Sequence, residues 1–264
     1  MRSFLSVTGI AVCLGVSFSL SAQQTTPGSA ATSNYLQSAL VQLTGGNALE
    51  DITLSGTVRR IAGSDDETGT VVAAAIVSDA SRIDCVFPSG PAVEIRNDSQ
   101  APPFGTWSGP DGVAHAMAFH NVLAEPVWFS PAIALVHALS ATDYTFAYIG
   151  HETRGTQGVE HYSVWRNLPD PRNMSQIRTD ISEFQIYLDS SNLLPVSMEF
   201  NIHPDNNAGL AIPVDVEFSD YQMVTGAQVP FQVQKYVNGS MVLVLQFESA
   251  SINSGLPASQ FAAQ

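Results

Sequence analysis

Positively charged residues are scarce in this sequence. Its 264 residues include 10 Lys+Arg against 24 Asp+Glu, a formal net charge of −14 at pH 7, and its one lysine is Lys235. A protein that binds nucleic acid needs a basic surface to neutralise phosphates. An anionic membrane surface likewise attracts polybasic segments. The shortage of basic residues therefore excludes nucleic acid as a partner and leaves no patch for anionic lipid head groups.

Cysteine and charge of either sign are also scarce. The chain has two cysteines, Cys13 and Cys85, which excludes a disulfide-rich scaffold. Cys13 falls within an N-terminal apolar segment, so a chain cleaved after that segment keeps one thiol and forms no internal disulfide. Only 13% of the residues are charged and 45% are hydrophobic, whereas a disordered chain shows the opposite balance. We expect a folded, acidic protein with a sizeable core.

The sequence contains none of the common motifs for catalysis or cofactor binding. No Gly-x-Ser-x-Gly segment presents a nucleophilic serine, and no glycine-rich loop joins a strand to a helix for phosphate binding. We therefore expect no cofactor and no enzymatic activity. One alternative stays open, because His151 and His161 flank a turn-like segment and imidazole suits zinc, as in a metal-assisted hydrolase. The simpler interpretation places both histidines on a solvent-facing strand surface.

The first 22 residues have the features of a secretory signal peptide. Arg2 supplies the positive charge, residues 4–20 are apolar apart from Ser and Thr, and Ala22 ends the segment with a small side chain. Residues 23–33 are rich in Gln, Thr, Ser and Ala, which predicts a flexible leader. No later stretch reaches the roughly 18 consecutive apolar residues of a membrane-spanning helix. We expect an exported protein of the periplasm or cell envelope, with no integral membrane span.

Residues 34–264 are predicted to form a single α+β domain. Helices are expected over 34–43 and 131–139, with Pro131 in the first turn of the second and Ser130 as its cap. Residues 64–69 are predicted to form a turn and 100–112 a loop. Elsewhere short strand-like segments alternate with turns, and Asn238-Gly239 is a strong type I′ hairpin signal. This pattern predicts about eleven strands in a single large curved antiparallel sheet, a half-open β-barrel with the short helices as plug or lid.

Several of these strands place apolar side chains on one face and polar side chains on the other. In residues 196–203, for example, Met198 and Phe200 share a face opposite Ser197 and Glu199. A large sheet of this kind covers its apolar face by curling, and its interior is then either packed solid or open to an apolar ligand. The residues predicted to contact such a ligand are Trp128, Phe129, Ile133, Phe184, Ile186, Val196, Met198, Phe200, Phe231 and Val233.

Four segments follow one another in an order typical of a known family. They are Ile-Gly-His-Glu at 149–152 with the strand 159–164, Ile-Tyr-Leu-Asp at 186–189 with Leu-Pro at 194–195, Phe-Ser-Asp-Tyr at 218–221 with Pro230, and Ile-Asn at 252–253 with Phe261. Together they resemble the LolA-like family of periplasmic outer-membrane lipoprotein carriers and their relatives. The resemblance implies a half-open antiparallel barrel with a helical lid over an apolar cavity. It also implies handling of lipid or acyl chains rather than catalysis. Residues 100–140 depart from the family pattern, and no residue corresponds to a lipoprotein contact.

Three functions follow from these observations, and the first is favoured. It is an exported protein that binds a hydrophobic ligand, either a lipid, an acyl chain or a lipidated protein, inside the half-barrel. The second is an envelope interaction or scaffold module with the same fold and a filled core, which would bind partners at an open sheet edge. The third is the metal-assisted hydrolase built on His151 and His161.

Overall fold

The computed structural model describes residues 30–167 and 180–263. The predicted signal peptide and residues 23–29 of the predicted leader lie outside these ranges. The strands are β1 (Asp51–Ala62), β2 (Asp65–Ile76), β3 (Ala80–Phe87), β4 (Gly90–Asn97), β5 (Phe104–Ser108), β6 (Ala114–Ala116), β7 (Tyr144–Arg154), β8 (Gln157–Arg166), β9 (Phe184–Asp189), β10 (Pro195–Ile202), β11 (Ile212–Val224), β12 (Ala227–Val237) and β13 (Ser240–Ile252). The helices are α1 (Ala30–Thr44), α2 (Phe119–Ala124), α3 (Pro131–Ser140) and a 3₁₀ helix, Ala258–Phe261.

All of these strands join one antiparallel sheet, in the order β6-β5-β4-β3-β2-β1-β13-β12-β11-β10-β9-β8-β7. Strands that are consecutive in the chain pair with each other, and the first strand, β1, also pairs with the last, β13. β6 and β7 are the exception: they follow each other in the chain but do not pair, and they form the two edges of the sheet. The helices α2 and α3 lie between these edges along the chain. The architecture confirms the predicted open, curved antiparallel sheet with short helices.

Two segments predicted as a turn and a loop contain strands. β2 begins at Asp65, so most of the predicted 64–69 turn is extended. Arginines of β1 hold its acidic side chains in the sheet: Arg59 Nη2 lies 2.6 Å from Asp66 Oδ2, and Arg60 Nη2 lies 2.8 Å from Glu67 Oε1. β5 lies within the predicted loop 100–112 and β6 just after it. With these, the strands of the described residues number thirteen rather than about eleven.

Both predicted helices are present. α1 begins at Ala30, inside the predicted leader, and α3 covers Pro131–Ser140. Ser130 takes the N-cap position of α3, but its side chain makes no capping hydrogen bond. Instead its carbonyl oxygen accepts the N–H of Ala134 at 3.2 Å. α3 is apolar nearly all round and most of its residues are buried, as expected of a helix that plugs a barrel.

The hydrophobic core lies inside the curved sheet. Side chains from β1–β3 and from β8–β13 pack into one cluster with α1 and α3, which a flat sheet of this width could not achieve. In the last turns of α3, His137 Nδ1 contacts the carbonyl oxygen of Val77, which directly follows β2, at 3.0 Å. α1 ends where Gly45 lies against Gly226, between β11 and β12. Both helices therefore fill the end of the barrel at which β1 begins.

The C-terminal segment covers part of the outer face of the sheet. Phe261 of the 3₁₀ helix is fully buried against Ala74 and Ala80, and its carbonyl accepts a hydrogen bond from Asn97 Nδ2 at 3.2 Å. The turn that leads to it is held by the buried carboxylate of Asp51. This carboxylate accepts the backbone N–H groups of Ser254 and Gly255, each at 2.8 Å. The C-terminal segment is thereby fixed to the start of β1.

Candidate functional site

A cavity of about 690 Å³ opens inside the barrel at the end opposite to α1, where β1 ends. Its volume lies within the range of about 300–1,000 Å³ found for small-molecule sites. The walls come from the ends of β1, β3, β5, β10 and β12, from β4, from the start of β13, from the loop after β10, and from the segment 117–128 that contains α2. The lining residues are Arg60, Ile61, Ala62, Gly63, Ile83, Cys85, Phe87, Ala92, Val93, Glu94, Arg96, Trp107, Ser108, Met117, Asn121, Glu125, Trp128, Ile202, His203, Asp205, Lys235, Val237, Val242 and Leu243.

Most of the wall is apolar. The inward faces of β3 and β4 contribute Ile83, Cys85 and Ala92, in the alternation that paired antiparallel strands impose. Burial, and secondarily the charge of Glu94, raises the pKa of the Cys85 thiol to about 12, so this cysteine is an inert part of the wall. The Arg60 guanidinium lies over the ring of Phe87, 4.5 Å from its centroid. This cation–π contact holds the Arg60 side chain against the apolar wall.

Four charged side chains form an ion network on one side of the cavity. Glu125 follows α2 and is almost entirely buried; its carboxylate oxygens accept hydrogen bonds from Arg96 Nη2 and from Lys235 Nζ. Arg96 Nε also donates to Glu94 Oε1 at 3.0 Å. The two carboxylates and two cations balance, so the network carries no net charge. The same Arg96 donates through Nη1 to the carbonyl of Asn121 at 2.6 Å, which fixes α2 against β4.

Lys235 is held in an unusual environment for a lysine. It lies on the inward face of β12 with Val233 and Val237, and only 13% of its side chain is exposed. Its Nζ sits 4.3 Å from the ring centroid of Trp128, within the range of a cation–π contact. Burial lowers the pKa of Lys235 to about 8, with Glu94 acting in the opposite direction. For Glu94, burial acts to raise the pKa, but the positive charges of Arg96 and Lys235 outweigh this effect and bring the pKa below its usual value.

The segment that carries α2 is fastened across the cavity to the loop after β10. Asn121 Nδ2 donates to the carbonyl of His203 at 2.7 Å, and the His203 N–H donates to Asn121 Oδ1 at 2.9 Å. His203 is itself 8% exposed, and its Nδ1 contacts the carbonyl of Leu210 at 3.1 Å. Because a carbonyl only accepts, Nδ1 carries the proton. Burial lowers the pKa of His203, so the ring is neutral and its Nε2 is a bare acceptor.

The structure separates the sequence-predicted ligand residues into three groups. Trp128 lines the cavity. The apolar core holds Phe129, Ile133, Phe184, Ile186, Met198, Phe200, Phe231 and Val233, each nine-tenths or more buried. Val196 is half-buried outside this core, in a depression beside Arg154 and Asp215, because a bulge between Pro195 and Ser197 shifts the register of β10. The helix α3 occupies the part of the barrel that these core residues surround.

The two histidines of the metal hypothesis lie on opposite faces of the sheet. His151 on β7 pairs with Glu160 on β8, and its Nδ1 lies 2.9 Å from Glu160 Oε1. His161 follows Glu160 in an extended strand, so its side chain points to the other face. There its Nδ1 lies 2.6 Å from Glu152 Oε1, and its ring stacks on Tyr187. Within residues 30–167 and 180–263, no group of three or more His, Cys, Asp or Glu side chains could hold a metal ion.

Sequence reasoning missed most of the cavity wall, although one signal was present. Lys235 stands on the apolar face of its strand, between Val233 and Val237, where a charge requires a partner. Glu94 and Arg96 likewise occupy inward positions of β4. A search for charged residues at inward strand positions would have found this side of the cavity.

Comparison with known proteins agrees with this geometry. Neither family models nor curated proteins match the sequence. Solved structures do: a LolA superfamily protein from Nitrosomonas europaea superposes with a TM-score of 0.54 at 11% identity, covering 88% of this chain and 98% of that chain. This chain has the LolA-like fold. A candidate outer membrane lipoprotein-sorting protein domain from Vibrio parahaemolyticus gives a TM-score of 0.55 at 11% identity, covering 88% of this chain and 96% of the other.

A third structure extends the LolA-like group. A DUF1329 family protein from Desulfovibrio piger superposes with a TM-score of 0.54 at 10% identity, over 88% of this chain and 97% of that one. At such identities the comparison establishes the fold and not the ligand. Among the helices in the described residues, none is long and apolar enough to cross a bilayer.

Proposed function

We propose that this protein is exported to the periplasm or cell envelope and binds a hydrophobic ligand, a lipid or an acyl chain, in the cavity of its open barrel. The observation that carries the proposal is the cavity of about 690 Å³, which is mostly apolar and lined by Trp107 and Trp128. Burying an acyl chain there would contribute about 0.8 kcal/mol per methylene. The role is that of a binding protein and needs no covalent step.

Three further observations support the proposal. The LolA-like fold is shared with a protein domain whose name refers to outer membrane lipoprotein sorting. The N-terminal residues have the features of a signal peptide. The apolar volume stays open although α1 and α3 pack the other end of the barrel tightly. A lipidated protein is a second possible source of the acyl chain, since its lipid anchor presents the same chemistry.

Native mass spectrometry tests this function directly. The full chain would be expressed in a Gram-negative host, purified from the periplasmic fraction, and compared with a refolded, delipidated sample. We expect an added mass that is lost on delipidation and regained with lipid. A bare polypeptide that takes up no lipid would instead favour the interaction module, which could bind partners at the edge strand β6 or β7. Recovery of the protein only in the cytoplasm would contradict export.

Two substitutions of matched size locate the binding. Ala92→Trp places an indole at a half-buried position of the cavity wall, and we expect it to abolish lipid uptake. Val86→Trp adds the same ring to a neighbouring strand, at a side chain that is 58% exposed, and should leave uptake unchanged. Equal uptake by both variants would show that any bound lipid lies elsewhere on the protein.

A further inference from the structure

We infer that the cavity selects an amphiphile with an uncharged polar head group, such as an acylglycerol, over a charged lipid with the same acyl chain. The inference rests on the proposed function, because it assumes that the cavity is the binding site. It names the chemistry of the head group, which neither the fold nor the apolar wall determines. The observations that carry it are the charge balance of the wall and two incompletely bonded polar atoms, Lys235 Nζ and His203 Nε2.

The charges that line the cavity cancel. Arg60, Arg96 and Lys235 supply three positive charges, and the carboxylates of Glu94, Glu125 and Asp205 supply three negative ones. The most buried of them, Glu125, already bonds to both Arg96 and Lys235. A carboxylate or phosphate on the ligand would add a further negative charge beside these cations, whose charges are already balanced. One of the buried negative charges would then be left without a partner, which is costly.

Lys235 nevertheless has hydrogen-bonding capacity to spare. An ammonium group has three N–H donors. Within the described residues, one of them bonds to Glu125, and no further hydrogen-bond acceptor contacts Nζ; its other close neighbour is the face of Trp128. An uncharged ester carbonyl or hydroxyl oxygen can accept from the remaining donors without disturbing the ion pair.

His203 offers the complementary group. Its Nδ1 donates to the carbonyl of Leu210, so its Nε2 is an acceptor, and this buried atom has no hydrogen-bond partner within the described residues. A buried acceptor without a partner is unfavourable, and a small rotation of the ring toward the cavity would let a ligand hydroxyl satisfy it. His203 and Lys235 both line the same cavity. Together they suit a head group that has both a carbonyl oxygen and a hydroxyl, as a monoacylglycerol does.

The experiment compares three ligands with one acyl chain on the delipidated protein: monododecanoylglycerol, dodecanoate and dodecanoyl lysophosphatidate, each below its micelle-forming concentration. Binding is followed by calorimetry and by the fluorescence of the two cavity tryptophans. We expect monododecanoylglycerol to bind about tenfold more tightly than either charged ligand, the scale of one or two hydrogen bonds. Equal or tighter binding of dodecanoate or the lysophospholipid would overturn the inference. Failure of all three to bind would contradict the proposed function itself.

Variants then assign the selectivity to its atoms. His203→Phe and Lys235→Met each remove one hydrogen-bonding group, and each should reduce the preference for monododecanoylglycerol several-fold. The matched control His151→Phe changes an exposed histidine on β7 and should keep the full preference. An unchanged preference in both cavity variants would overturn the assignment. Should a variant fail to fold, the ligand series on the unmodified protein still decides the inference.

Discussion

At the scale of single residues, Glu125 has a central position in the cavity wall. Its buried carboxylate joins a cation from β4, Arg96, to one from β12, Lys235, and so links two distant parts of the sheet. Buried ion pairs contribute little net stability when intact, because desolvation offsets their attraction. Breaking one partner is costly, because the remaining charges stay buried. The network should therefore be sensitive to single substitutions.

The first prediction concerns this carboxylate. Glu125→Gln leaves Arg96 and Lys235 without the negative charge between them, and we expect the free energy of unfolding to fall by about 3 kcal/mol. Urea denaturation followed by circular dichroism measures the change. Glu248→Gln, at an exposed position of β13, is the control and should be nearly neutral. Equal effects of the two substitutions would show that the network is not coupled to folding.

The second prediction concerns Asp51 and low pH. Burial would raise the pKa of this carboxyl, but the N–H groups of Ser254 and Gly255 outweigh it and bring the pKa below the usual 3.8. The stability it contributes is therefore present above about pH 4 and is lost as the pH falls through the folded-state pKa. Asp51→Asn should cost about 1–3 kcal/mol at pH 7 and progressively less at lower pH. Thermal unfolding between pH 7 and pH 3 checks this, with exposed Asp65→Asn as control.

The third prediction concerns Asp98, whose pKa is raised, so that its contribution to stability grows as the pH falls. Burial and the charge of Asp79 raise the pKa of Asp98 to about 6, although Arg166 acts to lower it. The folded protein therefore takes up a proton at this site that the unfolded chain does not, at pH values between about 4 and 6. As the pH falls from 7 to 4, the unmodified protein should gain on the order of 1 kcal/mol over Asp98→Asn. A pH-independent difference between the two in equilibrium unfolding would contradict the shift.

At the scale of elements, some features were predictable because they depend on neighbouring residues alone. The hairpin between β12 and β13 is one example: type I′ turns need two residues with positive φ, and Asn238 and Gly239 have values of 50° and 75°. The start of β2 is the counter-example. Its acidic run has the composition of a turn, but in the fold it pairs with the end of β1, where Arg59 and Arg60 form ion pairs with Asp66 and Glu67. Local composition does not contain that information.

The fourth prediction concerns the pairing of β1 with β13. Gly56 lies at a bulge in this pairing, where a Cβ atom would come within 2.1 Å of the carbonyl oxygen of Gln246. Because that neighbour is backbone, the clash cannot be relieved by a side-chain movement. Gly56→Ala should reduce the free energy of unfolding by about 3 kcal/mol or more. Gly109→Ala, with no close neighbour and no positive φ, should change it by less than about 1 kcal/mol. Similar denaturation midpoints would contradict this account.

At the scale of the whole molecule, the fold was predictable and the position of the cavity was not. The alternation of apolar and polar side chains along a strand identifies its inward face, and Met198, Phe200 and Val233 do lie inside the barrel. Whether an inward residue meets another side chain or an open space depends on where the helices lie. α1 and α3 pack against one end of the barrel, which makes most of the predicted ligand residues core and leaves the cavity at the other end. Which end of the barrel the helices fill depends on contacts between elements that are far apart in the sequence.

The pairing of β1 with β13 also has a consequence for how the chain folds. The two strands lie side by side near the middle of the sheet, yet about the whole length of the domain separates them in sequence. Contacts of such high sequence separation form late and slow folding. A chain that becomes available from its N-terminus onward, as during synthesis, therefore cannot complete its barrel until β13 is free to pair. Until then β1 and β12 each present an unpaired edge, the kind of surface that chaperones protect and that aggregates when it is left exposed.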